Sequence, residues 1–321
     1  MSSDPEAADW TLPTEFLERL ARILGDVRSD VIEQSFFEPK AAAFRVNRLL
    51  AAPDETCREL LGDGLSLEPL GWLPDGFFVP ADQRSMLTRH RLVDLGHIYI
   101  HNPSSMLAAL VLAPQPGETV MDLAAAPGGK TLHLAALMGE VGFLSAVEPI
   151  LARFYKLKEN LRRGGAAFVR TYQLDGRRVP AKTGPRFDRV LLDAPCSGEA
   201  RFHVSDPDSF RNWSLRKIRQ CRSKQSGLIQ AGFASLKPGG RMLYCTCSFA
   251  PEENEAVVAS LVQEQRSCHL LEIELPIENW QAGLTAWEGL TFPESVRLCR
   301  RVLPNDLHDA LFLALIEKSP E

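Results

Sequence analysis

Apolar side chains recur at helical spacing through residues 14–25, Thr-Glu-Phe-Leu-Glu-Arg-Leu-Ala-Arg-Ile-Leu-Gly, and the run stops on a glycine. That pattern predicts an amphipathic helix with a glycine stop. Ala43–Leu49 and Gly76–Val79 read as strands, and Asp54–Leu61 as a short helix opened by an aspartate cap. Together they predict a small α+β domain over residues 1–95.

Beyond residue 95 the pattern changes to strands alternating with helices. Thr119–Leu123, Phe143–Val147, Phe168–Leu174, Val190–Leu192 and Met242–Cys245 read as strands. Thr131–Met138, Ile150–Arg163 and Glu252–Gln265 read as helices, the last with acidic residues in its first turn after Pro251. Alternation of this kind predicts an α/β fold over residues 96–321, with a doubly wound, mainly parallel sheet. Ligands of such sheets bind at the carboxyl ends of the strands, so the residues there carry the functional question.

Composition narrows the class. Of 321 residues, 45% are apolar and 24% charged, the balance of a globular protein. The opening Met1–Glu6 is polar and acidic, unlike a signal peptide, and runs such as Leu107–Ala113 are too short to span a bilayer. A cytosolic protein without membrane contact is expected. Seven cysteines with no C-x-x-C pair argue against a disulfide framework or a zinc site, and leave thiols free as nucleophiles. The net charge of -5 does not announce a nucleic-acid binder, yet basic residues outnumber acidic ones over 153–189 and 201–224. Both stretches flank the best chemical motif, which favours a polyanionic partner.

The first strand of the alternating region runs into Asp122-Leu-Ala-Ala-Ala-Pro-Gly-Gly-Lys130-Thr131. Gly129-Lys130-Thr131 fits the end of a phosphate-binding loop, and Val190–Asp193 resembles its magnesium-holding strand. But Ala124 replaces the required first glycine, and Pro127 removes an amide from the would-be cradle. The dinucleotide pattern G-x-G-x-x-G is absent as well. Small residues Ala124, Ala125, Ala126, Gly128 and Gly129, with Pro127 and Lys130, suit a nucleoside-type cofactor approached closely by backbone. Glu148 closes the second strand, where an acid meets ribose hydroxyls, and Asp175 closes the third, where a carboxylate can accept from an adenine amine. S-adenosylmethionine fits this set without phosphate machinery.

Strand four ends in Asp193-Ala-Pro-Cys196-Ser-Gly198, and strand five in Tyr244-Cys-Thr-Cys247-Ser248. If the two strands are neighbours they lie ~4.8 Å apart, and Cys196 and Cys247 overhang one pocket. The other five cysteines read as core residues without polar neighbours. A thiol suits methylation at carbon 5 of cytosine. That carbon is a poor nucleophile until a thiolate adds to carbon 6 and makes it enamine-like. An acid must then meet N3, and Asp193 is placed for it. Methylases of exocyclic amines need no thiol and favour Asn/Asp-Pro-Pro-aromatic, where this chain reads Asp-Ala-Pro-Cys.

These residues resemble the Nol/Nop/Sun family of RNA cytosine-5 methyltransferases over nearly the whole chain. The likeness runs from Phe44–Leu49 and Asn102–Ala108 through Pro114–Thr119 and Asp122–Lys130 to Asp193–Gly198, Leu236–Gly240, Thr246–Ser248 and Pro251–Glu255. The paired Pro-Cys-Ser-Gly and Thr-Cys-Ser motifs carry it most specifically. The resemblance implies a Rossmann-like fold with S-adenosylmethionine held by Ala124–Lys130, Glu148, Asp175 and Asp193. It implies that Cys247 adds to carbon 6 while Cys196 assists product release, and that the first 95 residues form an RNA-recognition-like domain. An RNA partner follows, with rRNA or the small ribosomal subunit favoured and tRNA as the alternative, met by a monomer. A non-catalytic assembly factor on the same fold is the rival of a different class, and a phosphate-loop nucleotidase the third. Three places depart from the family pattern. Arg201–Ser205 stands where a basic pair precedes Asp-Pro, the last strand, 309–316, lacks a glycine-aromatic lead-in, and no further C-terminal RNA-binding domain follows.

Overall fold

The computed structural model describes residues 11–320, so the opening Met1–Glu6 lies outside the described residues. Two helices, α1 (Thr14–Leu24) and α2 (Asp26–Gln34), come first. Then follow β1 (Ala42–Val46), α3 (Pro53–Gly62), β2 (Glu68–Pro69), β3 (Gly76–Val79), α4 (Arg84–Thr88), α5 (Arg91–Asp94) and β4 (Ile98–Ile100). The four strands form an antiparallel sheet in the order β2-β3-β1-β4. Successive side chains of a strand face opposite ways. Phe44 and Val46 of β1 therefore enter a core with Leu60, Val79, Leu87 and Ile98, while Ala43 packs with Met106 beyond the sheet.

The second layer begins with α6 (Pro103–Leu112) and alternates β5 (Thr119–Asp122), α7 (Gly129–Met138), β6 (Phe143–Val147), α8 (Leu151–Arg163), β7 (Arg170–Tyr172), α9 (Pro180–Thr183), β8 (Phe187–Asp193), α10 (Leu215–Ala234) and β9 (Leu236–Thr246). Then come α11 (Glu255–Glu264), β10 (Cys268–Leu271), β11 (Trp280–Ala282), the hairpin β12–β13 (Ala286–Trp287, Leu290–Thr291), β14 (Arg300–Val302) and β15 (Leu311–Lys318). The large sheet runs β11-β14-β15-β9-β8-β5-β6-β7, with β10 also on β15. Strands β5 to β9 pair in parallel, and β15 joins β9 antiparallel. Its two faces are covered as the alternation requires. Val120, Leu191 and Leu243 meet α6, α7 and α8 on one side, while Met121, Val190, Leu192 and Met242 meet α10 and α11 on the other. Each such buried side chain contributes about 1.5–3 kcal/mol on leaving water. The fold is the Rossmann-like α/β class that the alternation implies.

Several boundaries differ from the sequence pattern for identifiable reasons. The small sheet closes only with β4, past residue 95, so its last strand falls beyond the expected boundary. Helix α1 turns Phe16, Leu20 and Ile23 onto Phe36, Phe202 and Phe249, away from the small sheet and toward the turn that carries Cys247. Strand β1 stops at Val46 instead of Leu49, because the Asn47 amide donates to the carbonyls of Gly96 and Gly164 and pulls the chain aside. The helix expected over 252–265 starts at Glu255, because Glu253 and Asn254 spend their side chains on the cysteine turns. Strand β7 covers only Arg170–Tyr172 of the expected 168–174. The 20-residue α10 carries five basic residues over 216–224 and buries Gln225 and Gly232 where apolar residues would have marked its inner face.

Candidate active site

Strand β5 ends at Asp122, and the chain then passes over Ala124–Pro127 into the N-terminus of α7. Gly128 sits at φ +111, a left-handed turn, and a Cβ there would lie 3.0 Å from Leu157. Its glycine therefore serves the turn and the packing of α8, and it is not among the residues that line the cleft. At Gly129 a Cβ would stand 2.6 Å from the Tyr99 ring. The ring of β4 thus closes over the loop, joining the small sheet to the site.

The cleft, about 630 Å³, lies at the carboxyl ends of the parallel strands. Its cofactor end gathers Ala124, Ala125, Ala126, Pro127, Gly129 and Lys130 with Glu148, Asp175 and Asp193. Glu148 is buried, and its carboxylate accepts from the Ile150 amide at 2.9 Å. Asp175 caps the turn that follows and pairs with Arg177, whose hydrogen bonds hold its carboxyl below the usual range. The Lys130 ammonium donates to Asp193 Oδ2 at 2.6 Å, so the lysine is committed to a carboxylate at the next strand end rather than to a phosphate cradle. Burial works against that ammonium, but the Asp193 charge outweighs it and raises the Lys130 pKa above its ordinary value. Asp122 is fully buried; Thr131 donates to its Oδ2 at 2.7 Å, while Oδ1 has no partner. Burial pushes its carboxyl up to about 7. A buried acceptor facing the cleft without a donor fits a cationic ligand group.

The reacting end follows from the pairing of β8 with β9, in which Asp193 sits beside Cys245. Just past those ends the sulfurs of Cys196 and Cys247 stand 3.2 Å apart, both half-buried and both free. The Cys196 hydrogen bond draws the Cys247 thiol below its usual range despite burial, with Arg201 and Lys130 adding to it. Cys196 is pushed the other way by the same contact and by burial. Of the other cysteines, Cys268 and Cys299 are buried core residues as expected, whereas Cys57 and Cys221 are only half-buried. Cys245 is buried but not apolar in its surroundings, since its thiol faces Asp193 Oδ1 at 3.6 Å.

Cleft residues that the sequence reading assigned no role at the site include His101, Arg153, Arg201 and Lys224. Burial, with Lys130 and Arg45 nearby, holds the His101 imidazole well below its ordinary value and so neutral. Arg153 donates to the Ala126 carbonyl at 2.7 Å and steadies the loop. Lys224 and Arg201 belong to the basic stretches noted in the sequence, but nothing in the residue pattern aimed them at this cleft.

A doubly wound sheet with small residues and carboxylates at one end of the cleft, and thiols at the other, is the architecture of the Rossmann-like methyltransferase fold. The family described as 16S rRNA methyltransferase RsmB/F matches residues 109–317, and the N-terminal domain of 16S rRNA methyltransferase RsmF matches residues 12–103. The chain belongs to the RsmB/F methyltransferase family. Ribosomal RNA small subunit methyltransferase F of Cronobacter sakazakii is 36% identical over 292 residues, covering 88% of this chain and 60% of the relative. Its counterpart from Vibrio vulnificus is 36% identical over 250 residues, covering 77% of this chain and 53% of the relative. The chain thus spans little more than half the length of these relatives. Among solved structures, a methyltransferase homolog protein from Pyrococcus horikoshii superimposes with a TM-score of 0.82 at 31% identity, covering 95% of each chain. NSun6 from the same organism, solved with SFG, shares the fold with a TM-score of 0.79 at 21% identity. Among the described residues no helix is long and apolar enough to cross a membrane.

Proposed function

We propose that this protein is an RNA (cytosine-5-)-methyltransferase acting on rRNA in the cytosol as a monomer, with Cys247 as its covalent nucleophile. The observation that carries the reading is the pair of free thiols 3.2 Å apart beside Asp193 at one end of the cleft. Ala124–Lys130, Glu148 and Asp175 would hold the nucleoside part of S-adenosylmethionine, and the unpartnered Oδ1 of Asp122 would meet its ammonium. When bound, this cofactor supplies an electrophilic methyl group.

The Cys247 thiolate adds to carbon 6 of cytosine, and the displaced electron pair moves toward N3. N3 takes up a proton from solvent that the Asp193 carboxylate holds in place by accepting its hydrogen bond, the proton returning to solvent on release. Carbon 5 becomes nucleophilic and takes the methyl group. The carbon 5 proton must then leave, its electrons reforming the ring double bond as the Cys247 sulfur departs. Once Cys247 is bonded to carbon, the charge that opposes ionisation of Cys196 is gone, so the Cys196 thiol can release its own proton to solvent and, as the thiolate, take the carbon 5 proton. The target base must be turned out of its stack to enter the cleft.

Support for an RNA partner comes from α10 and the small sheet. Ile218, Gln225 and Ile229 face inward, while Arg216, Arg219 and Lys224 are exposed, Lys224 at the cleft. These three bases have no ion-pair partner among the described residues, which leaves them free to meet phosphates. The N-terminal unit, with its β4 against the cofactor loop, would lie beside the same RNA. The test is transfer of labelled methyl from S-adenosylmethionine to 16S rRNA, small subunits and tRNA lacking cytosine-5 methylation. Label recovered as 5-methylcytidine in one ribosomal substrate is expected. Label only in tRNA overturns the substrate, and none anywhere overturns the reaction.

A further inference from the structure

Two buried carboxylates cross between the cysteine turns. Glu253 is 0% exposed and Glu199 2% exposed. Glu199 follows the Cys196 turn, yet its Oε2 accepts from the amides of Phe249 and Ala250, next to Cys247, at 2.8 and 3.0 Å. Its Oε1 accepts from the Trp213 indole at 2.8 Å. Glu253 follows the Cys247 turn, yet its Oε2 accepts from the Ser197 amide, next to Cys196, and from the Gln225 side chain, both at 2.9 Å. Neither has an ion-pair partner among the described residues.

The two acids meet at one hydroxyl. Ser248 Oγ lies 3.0 Å from Glu199 Oε2 and 3.1 Å from Glu253 Oε1, the Ala250 amide donates to it at 3.1 Å, and Ser197 Oγ lies 3.0 Å away. A hydroxyl donates once. With both acids charged, Ser248 satisfies one of them and turns lone pairs toward the other. One further proton removes the conflict. Glu199 receives donors at both oxygens, whereas among the described residues Oε1 of Glu253 hydrogen-bonds to Ser248 alone, so the proton belongs there. The other titratable neighbours of Glu253 are Cys196, Cys221 and Tyr244, and all three are pushed up and stay neutral.

We propose that Glu199 and Glu253 are positioning residues that brace the two cysteine turns in opposite protonation states, Glu199 charged and Glu253 carrying a proton directed at Ser248. The proposal rests on the methyl-transfer reading for its purpose, but not for its test. Glutamine mimics a protonated Glu253, its oxygen accepting from Ser197 and Gln225 and its amine donating to Ser248. At Glu199 the same change sets an amine against a donor.

The experiment follows alkylation of Cys247 by iodoacetamide against pH in the full chain, by peptide mass spectrometry, with thermal unfolding of each variant alongside. Glu253→Gln should leave the midpoint within about 0.3 of a unit of the parent, while Glu253→Ala and Glu199→Gln should move it by about one unit or more. A Glu253→Gln midpoint displaced as far as that of Glu253→Ala, or a parental midpoint in Glu199→Gln, overturns the assignment. Should Glu199→Gln not fold, the two Glu253 variants decide. A parental midpoint in Glu253→Gln, with the unmodified chain transferring no methyl to any RNA, counts against the reaction and leaves the brace standing.

Discussion

Cys196 and Cys247 are 51 positions apart in the chain and hold their sulfurs 3.2 Å apart. The contact is asymmetric. Cys196 donates to Cys247, whose anion gains this hydrogen bond and the nearby Arg201 and Lys130 charges, while Cys196 ionises against the Cys247 charge and burial. The fold therefore gives the two thiols opposite tendencies to ionise, although both belong to similar turns after neighbouring strands.

From this asymmetry, Cys247→Ala is expected to abolish methyl transfer and form no covalent complex with RNA. Cys196→Ala is expected to accumulate the adduct, because the nucleophile still adds but release loses its base. Denaturing gels with methyl-deficient substrate distinguish them through a slow protein–RNA band. A band in Cys247→Ala and none in Cys196→Ala would reverse the two roles.

The cysteine pair was legible in the sequence because a short apolar strand followed by a small-residue turn locates its own end, and two such ends at adjacent strands must meet. The cofactor loop was legible for the same reason. Gly128 reads in the sequence as a glycine facing a ligand, and the turn and the packing of Leu157 require a glycine there as well. The brace of Glu199 and Glu253 was hidden differently. Glu253 reads only as part of the acidic first turn of a helix and Glu199 carries no reading, whereas the pairing of β8 with β9 brings both into the buried space between the cysteine turns. Helix α10 escaped notice because Gln225 occupies an inner position that would otherwise have been apolar.

Lys130 and Asp193 pair at 2.6 Å, with side-chain exposures of 12% and 35%. That inequality predicts unequal costs for breaking the pair. Asp193→Asn strands the ammonium on the buried side, a loss of about 3 kcal/mol or more, as for a broken buried ion pair. Lys130→Met strands a carboxylate that water partly screens, so it should cost less than half as much. Urea denaturation of both variants measures the difference, and equal losses would show that Asp193 is no better solvated than Lys130.

Gly96 has φ +75, and a Cβ there would lie 2.2 Å from the Arg163 carbonyl oxygen at the end of α8. Asn47 ties the same two segments by donating to Gly96 and Gly164 at 2.9 and 2.8 Å. Gly96→Ala must therefore shift backbone against backbone, with an expected loss of about 2 kcal/mol or more in denaturant unfolding. Limited proteolysis should open the Leu92–Ile98 region first. A variant as stable as the parent would mean that the two segments separate without cost.

Asp122 carries a carboxyl raised by burial from 3.8 to about 7. Between these values the folded chain holds a proton that the unfolded chain has released, so this group makes stability fall as pH rises from about 4 to 7 and contributes no slope above it. Asp122→Asn keeps an acceptor for Thr131 and removes the titration. Its unfolding free energy, followed by urea between pH 4.5 and 8, should decline less steeply than that of the parent, with the gap between the two curves changing most below pH 7. A gap that stays constant across the range would mean that Asp122 is ionised in the fold at all these pH values, and that its Oδ1 has found a donor.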